Sequence, residues 1–314
     1  MLSLRQREQR QAWVLLAPML LVMLLLTAWP LLRTIWLSFT DAALVGSGET
    51  PAWIGLENYL YALSDPDFRA SVWRTLYFTL VSVTFEGVIG VLVSVTFEGV
   101  IGVLVALLLN QRFVGRNVLR VLVILPWALP TIVNAMMWRL NFNPDYGSIN
   151  ALLSQLGIID GYRSWLGSPD AALNAVMFAD IWKNYPLVTL LVLAALQSIP
   201  EDLFEAARLD GASAWRRFRA ITFPAIVAPL GVALVLRTID AFKIFDIIYV
   251  MTRGGPVDST KTLSFFVYQE SFSYLRAGSG AAYAILMTLM CALLITLYLL
   301  MLWHQRRRSS AYES

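Results

Sequence analysis

The chain has 314 residues, of which 58% are hydrophobic and only 14% charged, and its mean hydropathy is +0.64. A soluble globular chain is about 45–50% apolar and about 25% charged, so this composition excludes an ordinary cytosolic enzyme and a disordered protein and points to a polytopic membrane protein. The net charge of +3 is small; the single Cys291 excludes an intrachain disulfide or a cysteine-based zinc site, and the single His304 excludes a histidine-clustered metal centre.

A helix crossing a hydrocarbon layer of about 30 Å needs about 20 apolar residues. Six stretches qualify: 12–37, 72–110, 118–140, 172–198, 221–250 and 280–303. The first follows Arg5, Arg7 and Arg10, as a signal peptide would, but its apolar run is too long and no Ala-x-Ala cleavage site follows. It reads as an uncleaved span. Basic residues set the orientation. The N-terminal tail, the segments after the second and fourth spans and the C-terminal tail hold thirteen Lys and Arg, against five in the alternate loops. The expected fold class is therefore all-α, a polytopic membrane protein with six transmembrane helices and both termini in the cytoplasm. A cytoplasmic tail covers 1–11, the transmembrane domain 12–303, and a second cytoplasmic tail 304–314.

Within the second span, VSVTFEGVIGVL at 81–92 is repeated without change at 93–104. Structural repeats vary and have periods of about 20–50 residues, so this is read as a recent tandem duplication or an error in the recorded sequence. With both copies, stretch 72–110 would make roughly 58 Å of helix, more than a tilted crossing absorbs. One copy is expected to be displaced, with only one of Glu86 and Glu98 in its working place.

After the fourth span comes the loop 199–220. Pro200, Glu201 and Asp202 favour a helix start through a fixed φ and negative charge at the N-terminus. Leu203, Phe204, Ala206, Ala207 and Leu209 give that helix an apolar side, and Gly211 can end it at positive φ. A basic helix with Arg216, Arg217 and Arg219 follows, and Pro224 opens the fifth span. The segment reads as a short amphipathic hairpin on the cytoplasmic face.

Glu205-Ala206-Ala207, then Gly211, then Ile221-Thr222-Phe223-Pro224, resembles the E-A-A motif of inner-membrane permeases of ATP-binding-cassette importers, with Phe223 in place of the usual Leu. Trp53-Ile54-Gly55-Leu56-Glu57-Asn58-Tyr59, Asn143-Pro144-Asp145-Tyr146-Gly147 and Thr252-Arg253-Gly254-Gly255-Pro256 extend the resemblance over nearly the whole chain, to the larger permease of the maltose, trehalose and glycerol-phosphate group. The resemblance implies that the loop is a coupling helix seated in an ATPase subunit, with Glu205, Ala206, Ala207, Asp210 and Gly211 as coupling positions. It implies as partners a second related permease, two ATP-binding-cassette ATPase subunits, an extracytoplasmic sugar-binding protein and membrane lipid, with no nucleic acid. It implies no cofactor on this chain, ATP and Mg being held by the ATPase subunits, and a location in the bacterial inner membrane. No Gly-x-x-x-x-Gly-Lys-[Ser/Thr] occurs here, because Lys261-Thr262 follow Thr260.

Ionisable groups inside the spans are costly, at least about 2.5–3.5 kcal/mol each at mid-bilayer, so they must pair or face water. Asp180 and Lys183 lie in the fourth span; Arg237, Asp240, Lys243 and Asp246 follow at i, i+3 in the fifth. Their charges cancel, whereas a path for a charged solute would show an excess of one sign. With Trp182, Tyr185, Phe242, Phe245 and Tyr249 nearby, the set suits a neutral polyhydroxylated solute. By resemblance to the maltose-type permeases, the sugar-contacting positions fall at Asp180, Lys183, Asn184 and Leu187, and at Arg237, Asp240, Ala241 and Ile244. Residues 237–246 look closer to trehalose importers. The expected function is an importer subunit for a disaccharide such as trehalose or maltose, with glycerol phosphate or another polyol as the alternative. A proton-coupled carrier would account for the buried charges but not for the E-A-A loop, and neither would a membrane enzyme, which would also need a clustered acidic metal or nucleotide site at the membrane surface.

Overall fold

The computed structural model describes residues 4–45, 50–96 and 116–310. Helices dominate, and among the described residues the extended contact is one isolated bridge, Thr40–Trp53. The helices in chain order are α1 (Leu4–Leu37), α2 (Glu57–Ser64), α3 (Pro66–Thr96), α4 (Arg116–Ala128), α5 (Thr131–Asn141), α6 (Ser148–Gln155) and α7 (Pro169–Gln197). Then come α8 (Glu201–Leu209), α9 (Ala214–Arg217), the π-helical turn π1 (Phe218–Thr222), α10 (Phe223–Phe242), α11 (Asp246–Met251), α12 (Leu263–Tyr268), a second π-turn (Gln269–Ser273) and α13 (Ala277–Ser310). Four helical stretches among the described residues are long and apolar enough to cross a membrane: Ala12–Leu37, Pro169–Gln197, Ala214–Phe242 and Ala277–Leu300. The second copy of the duplication continues past Thr96, so its accommodation lies outside the described residues, as does Glu98.

Two stretches read as single spans are broken. In 118–140 the break falls at Leu129-Pro130, between α4 and α5. Pro130 has no N–H to give the ladder and drives Leu129 out of the helical region. In 221–250 the break falls at Lys243–Phe245, between α10 and α11, with Phe245 at φ −137° and ψ −59°. No proline or glycine stands there. The Thr262 hydroxyl donates to the Ile244 carbonyl at 3.1 Å, so tertiary contact satisfies a carbonyl that the helix gives up. Pro186, by contrast, sits inside α7 without interrupting it. Pro224 comes second in α10 and is preceded by π1. The wider π-turn carries the chain past a residue that cannot donate to the ladder.

The chain forms two compact units, Met1–Arg69 with Phe266–Met290, and Ala70–Phe265 with Cys291–Ser314. In the first, the Trp53–Tyr59 motif clasps the chain leaving α1. Asn58 Nδ2 donates to the carbonyls of Ser38 at 3.0 Å and Thr40 at 2.8 Å, the Ser38 and Tyr59 hydroxyls meet at 2.7 Å, and Trp53 stacks on Phe39. Phe68, Phe266 and Tyr283 form its aromatic core. Glu270, buried, accepts from Arg276 at 3.2 Å and from the Ser279 hydroxyl at 3.0 Å, and that carboxylate pushes the Arg276 pKa upward. Gly278 donates its N–H to the Ala42 carbonyl at 2.8 Å, and a Cβ there would overlap the Thr40 carbonyl oxygen. Gly278→Ala is expected to destabilise this unit by about 1–3 kcal/mol, the usual cost of overpacking against backbone. The readout is the midpoint of thermal unfolding in detergent; an unshifted midpoint would refute the tight contact.

In the second unit α7 is the central element. Ser168 precedes it, Pro169 opens it and Asp170 lies in its first turn, each favouring a helix start. Its buried residues include Ala172, Ala175 and Ala179, whose small side chains let other helices approach closely, beside the larger Leu173, Val176 and Met177. It packs against α4 and α10, while α5 packs against α11. Two apolar clusters stand out among the described residues of this unit. One gathers Phe78, Trp138, Phe142, Val176, Ala241, Ile248 and Phe265, among others, and the second joins Val188, Val192, Leu196, Ile226 and Ala233. Lys183 of α7 and Arg237 and Asp240 of α10 fall between the two along their helices, and Asp180 stands beside Ala179 of the first.

Candidate functional site

The polar layer is built on a long-range pair. Arg237 of α10 donates from Nη2 to Asp180 Oδ2 of α7 at 3.1 Å, and both residues are buried, at 3% and 2% exposure. Asn184, one turn along α7, donates from Nδ2 to Asp180 Oδ1 at 2.9 Å and to the Asp180 carbonyl at 3.0 Å. Both carboxylate oxygens of Asp180 are thus bonded, which offsets the desolvation of a buried charge. Arg237 Nη1 also lies 3.6 Å from Asp240 Oδ2, whose side chain is 58% exposed. Of the i, i+3 pairs read from the sequence, Arg237–Asp240 is therefore present, and Arg237 has in addition a closer, buried partner from another helix. Lys183, half-buried, is within electrostatic reach of Asp180, Arg237 and Asp240.

The other sequence-predicted positions separate by exposure. Leu187 and Ile244 are half-buried. Ala241 is fully buried in the first apolar cluster, so it offers no surface to a solute in this state. Lys243 and Asp246 flank the helix break and are exposed. Of the polar positions around the pair, Asp240 is exposed and Lys183 and Asn184 are half-buried, while Asp180 and Arg237 join α7 to α10 and are buried. Among the described residues no group of three or more His, Cys, Asp or Glu is placed to hold a metal ion.

The loop folds as its residues direct. Pro200 precedes α8, Glu201 and Asp202 occupy its first turn, and Gly211 follows it at φ +70°. Gly211 N–H donates to the Arg208 carbonyl and Ala212 N–H to the Ala207 carbonyl at 2.9 Å, which closes the end of the helix. Ser213 caps α9 by accepting from Arg216 N–H, and Arg217 Nη1 donates to the Ala212 carbonyl at 2.6 Å. No residue of α8 is buried. Glu205 and Ala206 are exposed, Ala207 is half-buried, and Leu209 is 89% exposed. Asp210 and Ala207 line a cleft of about 230 Å³ with Ala212, Arg216, Arg217 and Ile221. A short helix of this kind, with a mixed face that the rest of the described chain leaves uncovered, can move as one body.

Residues 99–309 match the family of binding-protein-dependent transport system inner membrane components. The chain belongs to this family. The permease is 42% identical over 288 residues to a trehalose/maltose transport system permease protein of Thermococcus litoralis, covering 90% of each chain. It is 36% identical over 288 residues to a sulfoquinovosyl glycerol transport system permease protein of Agrobacterium fabrum, covering 92% of this chain and 89% of that one. In fold it is similar to a crystal structure of a bacterial ABC transporter involved in the import of the acidic polysaccharide alginate, with a TM-score of 0.76 at 21% identity, over 96% of this chain and 98% of that one. The permease is a transport component of the inner membrane and not an enzyme.

Two buried residues escaped the sequence reading. Asn150 of α6 ties down the loop after it, donating to the Arg163 carbonyl at 2.9 Å and accepting from Trp165 Nε1 at 2.8 Å. Asn134 of α5 donates to the Ala179 carbonyl at 3.3 Å, next to Asp180. A lone asparagine in the apolar stretch 118–140 was the available signal.

Proposed function

We propose that this permease forms half of the translocation path of an ATP-driven importer for a neutral sugar, a disaccharide of the trehalose or maltose kind. The observation that carries the reading is the polar layer between α7 and α10. Its charges cancel, its innermost pair is sequestered, and the exposed groups offer both donors and acceptors to hydroxyls. The names of the relatives from Thermococcus litoralis and Mycobacterium tuberculosis, the latter a trehalose transport system permease protein, point to the same solute class.

The complete assembly adds a second permease, two ATPase subunits that hold ATP and Mg, and a sugar-binding protein outside the membrane. The chain crosses the membrane six times with both termini in the cytoplasm, between tails 1–11 and 304–314. ATP binding closes the ATPase pair, the helix around Glu205 and Gly211 carries that motion into the membrane, and the path opens outward; hydrolysis resets it inward. The test is ATPase stimulation in the assembled complex in lipid nanodiscs. Trehalose, maltose, glycerol phosphate and sulfoquinovosyl glycerol are each supplied with the binding protein. Stimulation by a neutral disaccharide is expected. Stimulation by the anionic solutes alone would overturn the reading, and uptake by this chain alone in a proton gradient would replace it with a self-powered carrier.

A further inference from the structure

α5 carries two polar side chains into the first apolar cluster. Asn134 is 0% exposed, and Trp138, one helical turn later, is 7% exposed. The Asn134 amide is oriented by the Ala179 carbonyl, which accepts from Nδ2; a flipped amide would set two oxygens against each other. Asn134 Oδ1 is left buried without a hydrogen-bond partner, and Trp138 Nε1 is in the same condition. Rings close around the indole, with centroids 5.0 Å away at Phe178 and 5.5 Å away at Phe142 and Trp182. Ala179 and Trp182 flank Asp180 on α7, so this pair borders the polar layer.

Buried polar groups in native proteins are nearly always bonded, and an apolar pair would fill this space with nothing unmet. The two orphaned atoms are complementary, because one accepts and the other donates. A hydroxyl serves both at once, whereas a carboxylate only accepts and an ammonium only donates. We infer that Asn134 and Trp138 together read one hydroxyl of the transported solute, which adds α5 to α7 and α10 as a wall of the path. The contact is made when the cluster opens to admit solute: Trp138 N–H donates to the hydroxyl oxygen, and the hydroxyl proton is donated to Asn134 Oδ1. This names a specificity subsite and rests on the sugar reading above.

The experiment compares the wild-type complex with Trp138→Phe, which removes the N–H and keeps an aromatic ring. The same binding protein serves both, so its own preferences cancel. The readout is the concentration of trehalose, and of each of its symmetric dideoxy analogues, which lack the same hydroxyl on both rings, that gives half-maximal ATPase stimulation. Losing one hydrogen bond is expected to raise that concentration about three- to tenfold for trehalose. The penalty should vanish for the one analogue that lacks the hydroxyl in question. Asn134→Leu, measured in the same way, should show the same pattern with the same analogue. An equal penalty across all analogues, or none, overturns the inference and assigns the two atoms to a bound water or to packing. Failure of both variants to assemble overturns it too, by making the pair structural. If no sugar stimulates the wild-type complex, the sugar reading itself has failed, a result separate from the others.

Discussion

Replacing Gly211 with valine is expected to reduce coupled sugar uptake about 5- to 30-fold. Gly211 holds φ +70° at the end of α8, and nothing lies within 4 Å of where a Cβ would stand. The substitution therefore meets no neighbour, and its whole effect is on the backbone. An L-residue in the left-handed region costs about 1–2 kcal/mol, and more when β-branched. One or two kcal/mol shifts a local equilibrium by a factor of about 5–30, and the conformers lost are those with the Ala212–Ala207 bond closed. Asparagine tolerates the left-handed region, so Gly211→Asn is expected to fall much less than Gly211→Val. Reconstituted transport measured against ATP consumed is the check. Valine and asparagine variants with equal, undiminished uptake per ATP would remove the loop from the coupling path.

The second large effect is expected at Asp180. Asp180→Ala takes the buried carboxylate away from Arg237, which is itself 3% exposed. Breaking a buried pair by removing one member typically costs about 3–5 kcal/mol, because the charge that stays behind is poorly compensated. Asp240→Ala removes the other carboxylate near Arg237, but that side chain is 58% exposed, and exposed pairs contribute about 0–1 kcal/mol. The two variants should therefore separate two roles. Asp180→Ala lowers the unfolding midpoint and transport together. Asp240→Ala leaves the midpoint nearly in place and lowers transport, through the solute contact. The double change Asp180→Leu with Arg237→Met exchanges the pair for apolar groups and should recover much of the lost stability without recovering transport. Thermal unfolding in detergent beside sugar-stimulated ATPase activity decides it. Equal destabilisation by Asp180→Ala and Asp240→Ala would contradict the split between a buried brace and an exposed contact.

Features whose causes are local in the chain were legible from the residues. The α8 loop was, because its start lies in Pro200, Glu201 and Asp202 and its stop in Gly211, all within one short segment. The Arg237–Asp240 pair was, because i, i+3 neighbours on a helix meet whatever surrounds them. Apolar length marked four stretches that are long and apolar enough to cross, since the hydrocarbon thickness alone sets that requirement. The breaks inside the stretches 118–140 and 221–250 were not read. Pro130 carried a signal for one of them, but at Lys243–Phe245 no local breaker exists, and the break depends on Thr262 supplying a donor to the Ile244 carbonyl. In the same way, Asp180 and Arg237 lie 57 residues apart, so only the packing of α7 on α10 could select that pair over Asp180 with Lys183. The amino-acid sequence by itself determined an inner-membrane transport permease, since its apolar composition and its family motifs both lie in the chain. Which of its charges are buried between helices and which stay exposed was decided by tertiary packing, because burial belongs to the neighbours of a residue and not to the residue alone.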